Sequence, residues 1–279
     1  MQPSSDQVNS LNLLLQSLHG PKLTVLAREA QKFSAYINTL AGFRITNAGF
    51  SSDQKHLGRV IVDAVLQVGH DYEKQVRPAV QRILGFSQAV TVSGFIELLQ
   101  GQPLKNLINF SSEGIKEDLL SVAQFFANGK VETYDDLYTW LQLEQNRDAL
   151  LTANSGLQGK VFTIGEKTAD YFRVLVRHWD AVAVDRGIRG LLDGAGIISK
   201  YSKKYAYKEL RSIVQLAATQ HLGCRPVDLD ASIYDYYVSQ KPATKRRKYK
   251  SSNSKFCIYC GQQLPRVAKY CSQCGRSQS

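Results

Sequence analysis

The sequence predicts an all-α body followed by a small metal-binding appendage. Three observations carry this expectation. Apolar residues recur three and four apart through most segments up to residue 240, as the buried stripe of a helix does. Period-two alternation is scarce outside Ala181 to Val184. Four of the five cysteines fall in the last 23 residues, in two close pairs.

A chain of 279 residues with 43% hydrophobic content is long enough for one or two compact domains with a buried core. No apolar run reaches the roughly 18–20 residues of a membrane helix. The opening MQPSSDQVNS lacks the basic-then-apolar order of a secretory signal, so a soluble, intracellular chain (cytoplasm or nucleoid, nucleus in a eukaryote) is expected. The expected state is a monomer.

The elements can be justified in order. Val8, Leu11, Leu14, Leu15 and Leu18 form a first stripe, broken at His19-Gly20-Pro21. Leu23, Leu26, Ala30, Phe33 and Ile37 predict a helix over 22–40. Gly42 to Ser52 reads as a loop, and Ser52-Asp53 offers a cap for the stripe Leu57, Ile61, Ala64, Val65 and Val68. Gly69-His70-Asp71 closes that helix. A helix over 72–84 contains Pro78, which should kink or split it. Residues 92–100 and 115–128 are the next candidates, the second with Leu119, Val122, Ala123 and Phe126 on one face. Thr133 with Asp136 predicts a capping box for a helix through Leu137, Trp140 and Leu141. Beyond the segment 145–157, helices are expected from Glu166 through His178, from Ile188 to about Gly194, over 207–221, and from Asp228 to about Val238. Tyr201 to Tyr207 is a basic, tyrosine-rich connector.

Charge divides the chain as sharply as periodicity does. The net charge is +11, yet residues 241–279 hold ten basic side chains and no acidic one, so the remaining 25 Lys and Arg almost balance the 24 Asp and Glu. The run 241–255, with Lys245, Arg246, Arg247 and Lys248, reads as a flexible basic linker. It suits a polyanion, and double-stranded DNA is the expected partner. A nuclear address or a merely solvated linker has the same composition. Residues 256–279 follow the pattern C-x2-C, ten residues, C-x2-C. Cys257, Cys260, Cys271 and Cys274 supply four thiolates, which satisfy tetrahedral Zn²⁺ with no open position. This segment resembles a zinc ribbon, with a structural ion whose binding should supply most of its folding energy. Such modules also dock proteins, so a protein partner is a second possibility for it. Cys224, alone in the body, is expected to be a small buried side chain. No organic cofactor is expected.

One stretch of the body carries chemistry. Gly159 to Arg189 reads as a turn ending at Ile164-Gly165, a helix opening at Glu166, a short extended run and Asp185. Backbone N–H groups at such a helix start can hold phosphate, and the positive end of the dipole disfavours a protonated Lys167. Asp185 follows 18 residues after Lys167. A lysine beside a carboxylate is a plausible nucleophile pair. Aspartate before 186–193 is also an ordinary helix cap, and both roles can hold together.

The run Ile164-Gly165-Glu166-Lys167-Thr168-Ala169-Asp170, followed by Val184-Asp185, resembles the signature of the helix-hairpin-helix DNA glycosylase superfamily. The match covers roughly residues 145–195, with the hairpin motif at about 145–178. It implies a two-lobed helical body over 1–240 and places the chain in the lysine-containing, bifunctional branch. In those terms Lys167 and Asp185 are the catalytic pair, and Thr163, Ile164, Gly165, Glu166 and Thr168 hold DNA phosphates. The implied reaction is excision of a flipped-out base, with strand cleavage through a lysine Schiff base. Oxidised purines, oxidised pyrimidines and hypermodified bases of foreign DNA are the substrate classes left open. A non-catalytic DNA-binding protein is the alternative. The chain departs from the pattern at Phe162-Thr163, at Asp180 to Ala183 and at Gly187, which marks it as divergent. Tyr138, Trp140, Tyr171 and Trp179 can stack on a base or simply fill the core; His178 is expected to cap or lie at the surface. Lys203 and Lys204 can touch phosphate or face solvent.

The cysteine spacing generates a direct test. The purified chain should carry one zinc per molecule by elemental analysis. Cys257→Ser combined with Cys271→Ser should reduce that to less than about a tenth, because two lost thiolates leave no tetrahedral site.

Overall fold

The computed structural model describes residues 21–47, 55–152, 164–199, 204–240, 254–256 and 263–265. The chain divides into two units, residues 1–236 and 237–279. The helix expected over 6–18, the Ser52-Asp53 cap and the connector residues up to Lys203 lie outside the described residues, as do the hairpin turn before Ile164, the basic run and all four paired cysteines.

The described residues of the first unit are helical, with no strand among them. In order come α1 (Pro21–Thr39), α2 (Leu57–Leu66), a π turn (Tyr72–Val76) running into α3 (Arg77–Ile83), α4 (Val92–Gly101) and α5 (Leu104–Ile108). Then follow α6 (Glu113–Asn128), α7 (Tyr134–Trp140), α8 (Glu144–Thr152), α9 (Glu166–Leu175), α10 (Arg186–Gly194), α11 (Tyr207–Leu216) and α12 (Pro226–Gln240). None of the described helices is long and apolar enough to cross a membrane.

Local chemistry explains most boundaries. Pro78 splits its segment as its missing N–H requires, sitting in the first turn of α3 behind the π turn. Thr133 and Asp136 form the expected capping box of α7. The cap of α2 is His56, whose Nδ1 accepts the Arg59 N–H at 3.1 Å while Nε2 donates to Phe86 O at 3.2 Å. This pairing holds the neutral tautomer, and burial lowers the His56 pKa. α2 ends before Val68, which is 47% exposed instead of completing the stripe. α9 also stops early. Arg177 turns left-handed at φ 59°, and the Arg177 and His178 amides bond back to Val174 O (3.0 Å) and Arg173 O (2.9 Å). That is a Schellman ending with arginine where glycine is usual. His178 is therefore beyond the helix and 6% exposed, not at the surface. Sequence periodicity alone did not anticipate α5 or the 3-10 turn at Ser87–Val90. The latter presses on α2, where a Cβ at Gly58 would lie 2.8 Å from Ala89 O.

Two separate clusters of buried apolar side chains form the cores of this unit. The first draws on α2 to α9, from Leu57 to Val176. The second combines α1 with Val182, Val184, α10, α11 and α12. The stripe Leu26, Ala30, Phe33 and Ile37 of α1 is at most 2% exposed, so an N-terminal helix closes a core built otherwise from the C-terminal half.

A buried ionic network joins α8, α9 and α11. Asp170 on α9 accepts Arg147 Nε at 2.9 Å and Arg211 Nη1 at 2.8 Å on one oxygen, and Arg147 Nη2 at 3.1 Å on the other. Arg147 is fully buried. Arg211 and Arg173 reach the two oxygens of Glu144 at 2.6 and 3.2 Å. Burial alone would raise the Glu144 pKa, but the two guanidinium groups outweigh it and hold it below its usual value. Asp180 accepts from Arg173 at 2.7 Å and from His178 at 2.5 Å. Burial opposes its ionisation, yet Arg173 holds its carboxyl far below the ordinary range.

In the second unit, β1 (Ser254–Phe256) pairs antiparallel with β2 (Gln263–Pro265), Lys255 opposite Leu264. The pair brackets the sequence positions of Cys257 and Cys260. β1 begins inside the segment that composition marks as linker.

The network generates a stability prediction. Asp170→Ala would leave Arg147 and Arg211 buried without their shared carboxylate, and should destabilise the first unit by about 3–5 kcal/mol in urea titration at pH 7.

Candidate active site

The extended run before α10 has no strand to pair with, although Ala181, Val182, Ala183 and Val184 are all at most 4% exposed. Buried amides must still be satisfied. Ala181 N–H donates to His178 O at 3.1 Å, Ala183 N–H to Asp230 Oδ1 at 2.9 Å, and Val184 N–H to the Tyr207 hydroxyl at 3.0 Å. Tyr207 in turn donates to Asp170. The run is thus held by side chains from α11 and α12, and it delivers Asp185 to the start of α10. Asp185 caps that helix, its Oδ1 accepting the Ile188 N–H at 3.0 Å.

Asp185 and Lys167 meet in one cavity of about 230 Å³, between residues belonging to the two cores. Arg59, Asp63, Tyr72, Tyr171 and Arg177 line the side nearer the first core; Ala183, Asp230 and Tyr234 line the other. Lys167 is half-buried in the first turn of α9. Burial lowers its pKa, against an opposing pull from Asp185 and Asp230. A recessed ammonium loses hydration, and the Arg186 guanidinium adds to the cost.

Three further carboxyls line the same space, Asp63, Asp230 and Asp235, and burial acts strongly on the first two. Asp63 is 1% exposed and accepts the Tyr171 hydroxyl at 3.1 Å and the Tyr72 hydroxyl at 3.5 Å. Burial pushes its pKa up to about 6, with Arg59 and the two hydroxyls pulling the other way. Asp230 is half-buried by surface area but recessed in the wall, and burial raises its pKa to about 8 against the Ala183 hydrogen bond. Tyr234, one turn further along α12, is raised to about 12, and its ring meets Tyr72 edge-on at 5.9 Å.

The other sequence-predicted positions are dispersed. Gly165 caps α9 with an extended backbone (φ −79°) that any residue can adopt, and the space beside it is open. Ile164 is buried in the first core, and Glu166 O accepts Arg147 Nη2 at 3.2 Å. The Thr168 amide donates to Gly165 O at 2.9 Å and the residue is 7% exposed. Thr163, Lys245, Arg246, Arg247 and Lys248 lie outside the described residues. Among the aromatics, Tyr171 lines the cavity, while Trp140 packs edge-on against Phe125 and Phe126. Lys204 pairs with Glu29 at 3.7 Å. Cys224, expected to be buried, is only partly so, packed against the second core.

Sequence reasoning overlooked Asp63 and Asp230. A signal for each was present, because both interrupt apolar helical faces: Asp63 within Val60 to Leu66, and Asp230 between Leu229 and Ile233. A carboxylate at a core-facing position is rare unless paired or functional.

The raised carboxyls generate a pH prediction. An aspartate whose folded pKa exceeds its unfolded value favours the fold below about pH 4, and that contribution disappears as pH rises through the folded pKa. For Asp230 the window runs from about 4 to about 8. Asp230→Asn keeps an acceptor for Ala183 N–H and removes the buried charge. It should be more stable than wild type by at least about 2 kcal/mol at pH 9, with the gap closing toward pH 5, in urea titrations across that range. No family model matches this chain, and neither a curated protein nor a solved structure matches it.

Proposed function

We propose that the chain is a DNA glycosylase with associated lyase activity, acting on a damaged or modified base turned out of the duplex into this cavity. The observation that carries the reading is the shared cavity: Lys167 and Asp185, which the glycosylase-like signature singles out, line one recess with tyrosines around them. Its volume falls below the roughly 300–1,000 Å³ of sites for drug-sized ligands, which suits a single base. A lysine nucleophile must be neutral, and burial of Lys167 acts in that direction. Asp185, fixed by its cap bond to Ile188, faces the positive charge that develops on the sugar as the base departs. Lys167 then attacks the anomeric carbon, and the resulting Schiff base permits strand cleavage. The exposed Gly165 end of α9 and the basic segment around Lys245 to Lys248 would hold the phosphates. The paired cysteines would hold a structural zinc that takes no part in this chemistry.

The test is base release from duplexes carrying 8-oxoguanine, thymine glycol or glucosylated hydroxymethylcytosine, followed by borohydride trapping. Wild type should release at least one of these bases and form a covalent DNA adduct. Lys167→Gln should abolish the adduct, and Asp185→Asn should slow base release by about 100-fold or more. DNA binding without release from any duplex would favour a non-catalytic binding protein and sink the proposal.

A further inference from the structure

Lys167 and Asp185 leave one requirement of the reaction unmet. When the glycosidic bond breaks, its electron pair leaves with the base, which must gain a proton. When the Lys167 amine forms its bond to C1′, the new ammonium must lose one. A single group that gives the first proton and takes the second balances the step with no added reactant.

We propose that Asp230 is that group: it protonates the departing base and recovers a proton from the Lys167 ammonium. The inference rests on the glycosylase reading and adds a general acid to it. The geometry supports the role. Asp230 lines the cavity that contains Lys167. Its Oδ1 is occupied as the acceptor of Ala183 N–H at 2.9 Å, and Oδ2 has no hydrogen-bond partner among the described residues. An acid proton therefore sits on Oδ2, the oxygen left available to the cavity. The groups facing it are Lys167, Asp170 and Tyr171 from α9, Arg177 beyond that helix, and Asp185. Two of them are carboxylates that favour a protonated Asp230, one is a guanidinium that opposes it, and burial dominates. Asp230 and Lys167 line one cavity and act on each other electrostatically, and burial moves the acid's pKa up and the lysine's down, toward each other. Asp63 is a weaker candidate, because both its oxygens already accept tyrosine hydroxyls.

The role separates two substrates. On a duplex carrying an intact modified base, a general acid is needed; on the same duplex with a preformed abasic site no base leaves, so Asp230 keeps its proton and cannot take one from Lys167. With whichever duplex of the panel wild type processes, Asp230→Asn should lower base release by about 100-fold. It should retain borohydride trapping on the abasic duplex to within about threefold. Asp230→Glu should recover at least a tenth of wild-type release. Wild-type release should fall as pH rises through about 8, and that limb should be absent from the Asn variant. Release by Asp230→Asn within threefold of wild type overturns the assignment while leaving the glycosylase reading intact. So does an equal loss on both duplexes, which would make Asp230 structural. A wild type that releases no base and forms no adduct overturns both.

Discussion

Asp170 is the constraint on which the site depends. One carboxylate receives two guanidinium groups and the Tyr207 hydroxyl, and the donors arrive from two other helices: Arg147 from α8, Arg211 and Tyr207 from α11. Ion pairs of this depth contribute little net stability, because desolvation offsets attraction, but removing one member is costly. Their value here is geometric. Asp170 lies three residues after Lys167 on the same helix, and Tyr207 holds the amide immediately before Asp185. The network therefore sets the first turn of α9 against the extended run of the second core.

The cavity shows how three of its four aspartates acquire unlike surroundings. Asp185 spends one oxygen on a helix cap. Asp63 is enclosed by two tyrosine hydroxyls, and Asp230 is recessed with a single backbone donor. Burial raises the Asp230 carboxyl and lowers the Lys167 ammonium, so the pKa values of the two move toward each other. Convergence of an acid and a base is what proton exchange near neutral pH requires. Arg177 belongs to the same arrangement. Its left-handed backbone ends α9 and directs the chain toward the second core, while its side chain lines the cavity.

Charge is distributed in a way that fits the proposed division of labour. The body is nearly neutral and places three of its twelve arginines, Arg147, Arg173 and Arg211, inside the network, where they cannot meet a polyanion. Bulk attraction to DNA would then fall to the segment after residue 240, whose ten basic side chains face no acidic neighbour in sequence. In the body, affinity would come from local backbone donors instead.

Sequence alone determined the elements whose cause is local. The stripe of α1, the split at Pro78, the capping box at Thr133 and the cap at Asp185 each follow from spacing or from one side chain bonding a neighbouring amide, and each is present. The pair Lys167 and Asp185 was legible for the same reason: a short helix and a short run separate them. Tertiary structure decided what lies around that pair. Asp63 is 104 residues before Lys167 and Asp230 is 63 after it, so no local rule relates them. Arg147 was equally unreadable, because its partner Asp170 comes from another helix. A helical stripe reports that a face is buried, but not against which element. The walls of this cavity, and the acidity of the groups on them, exist only once the two cores have been brought together.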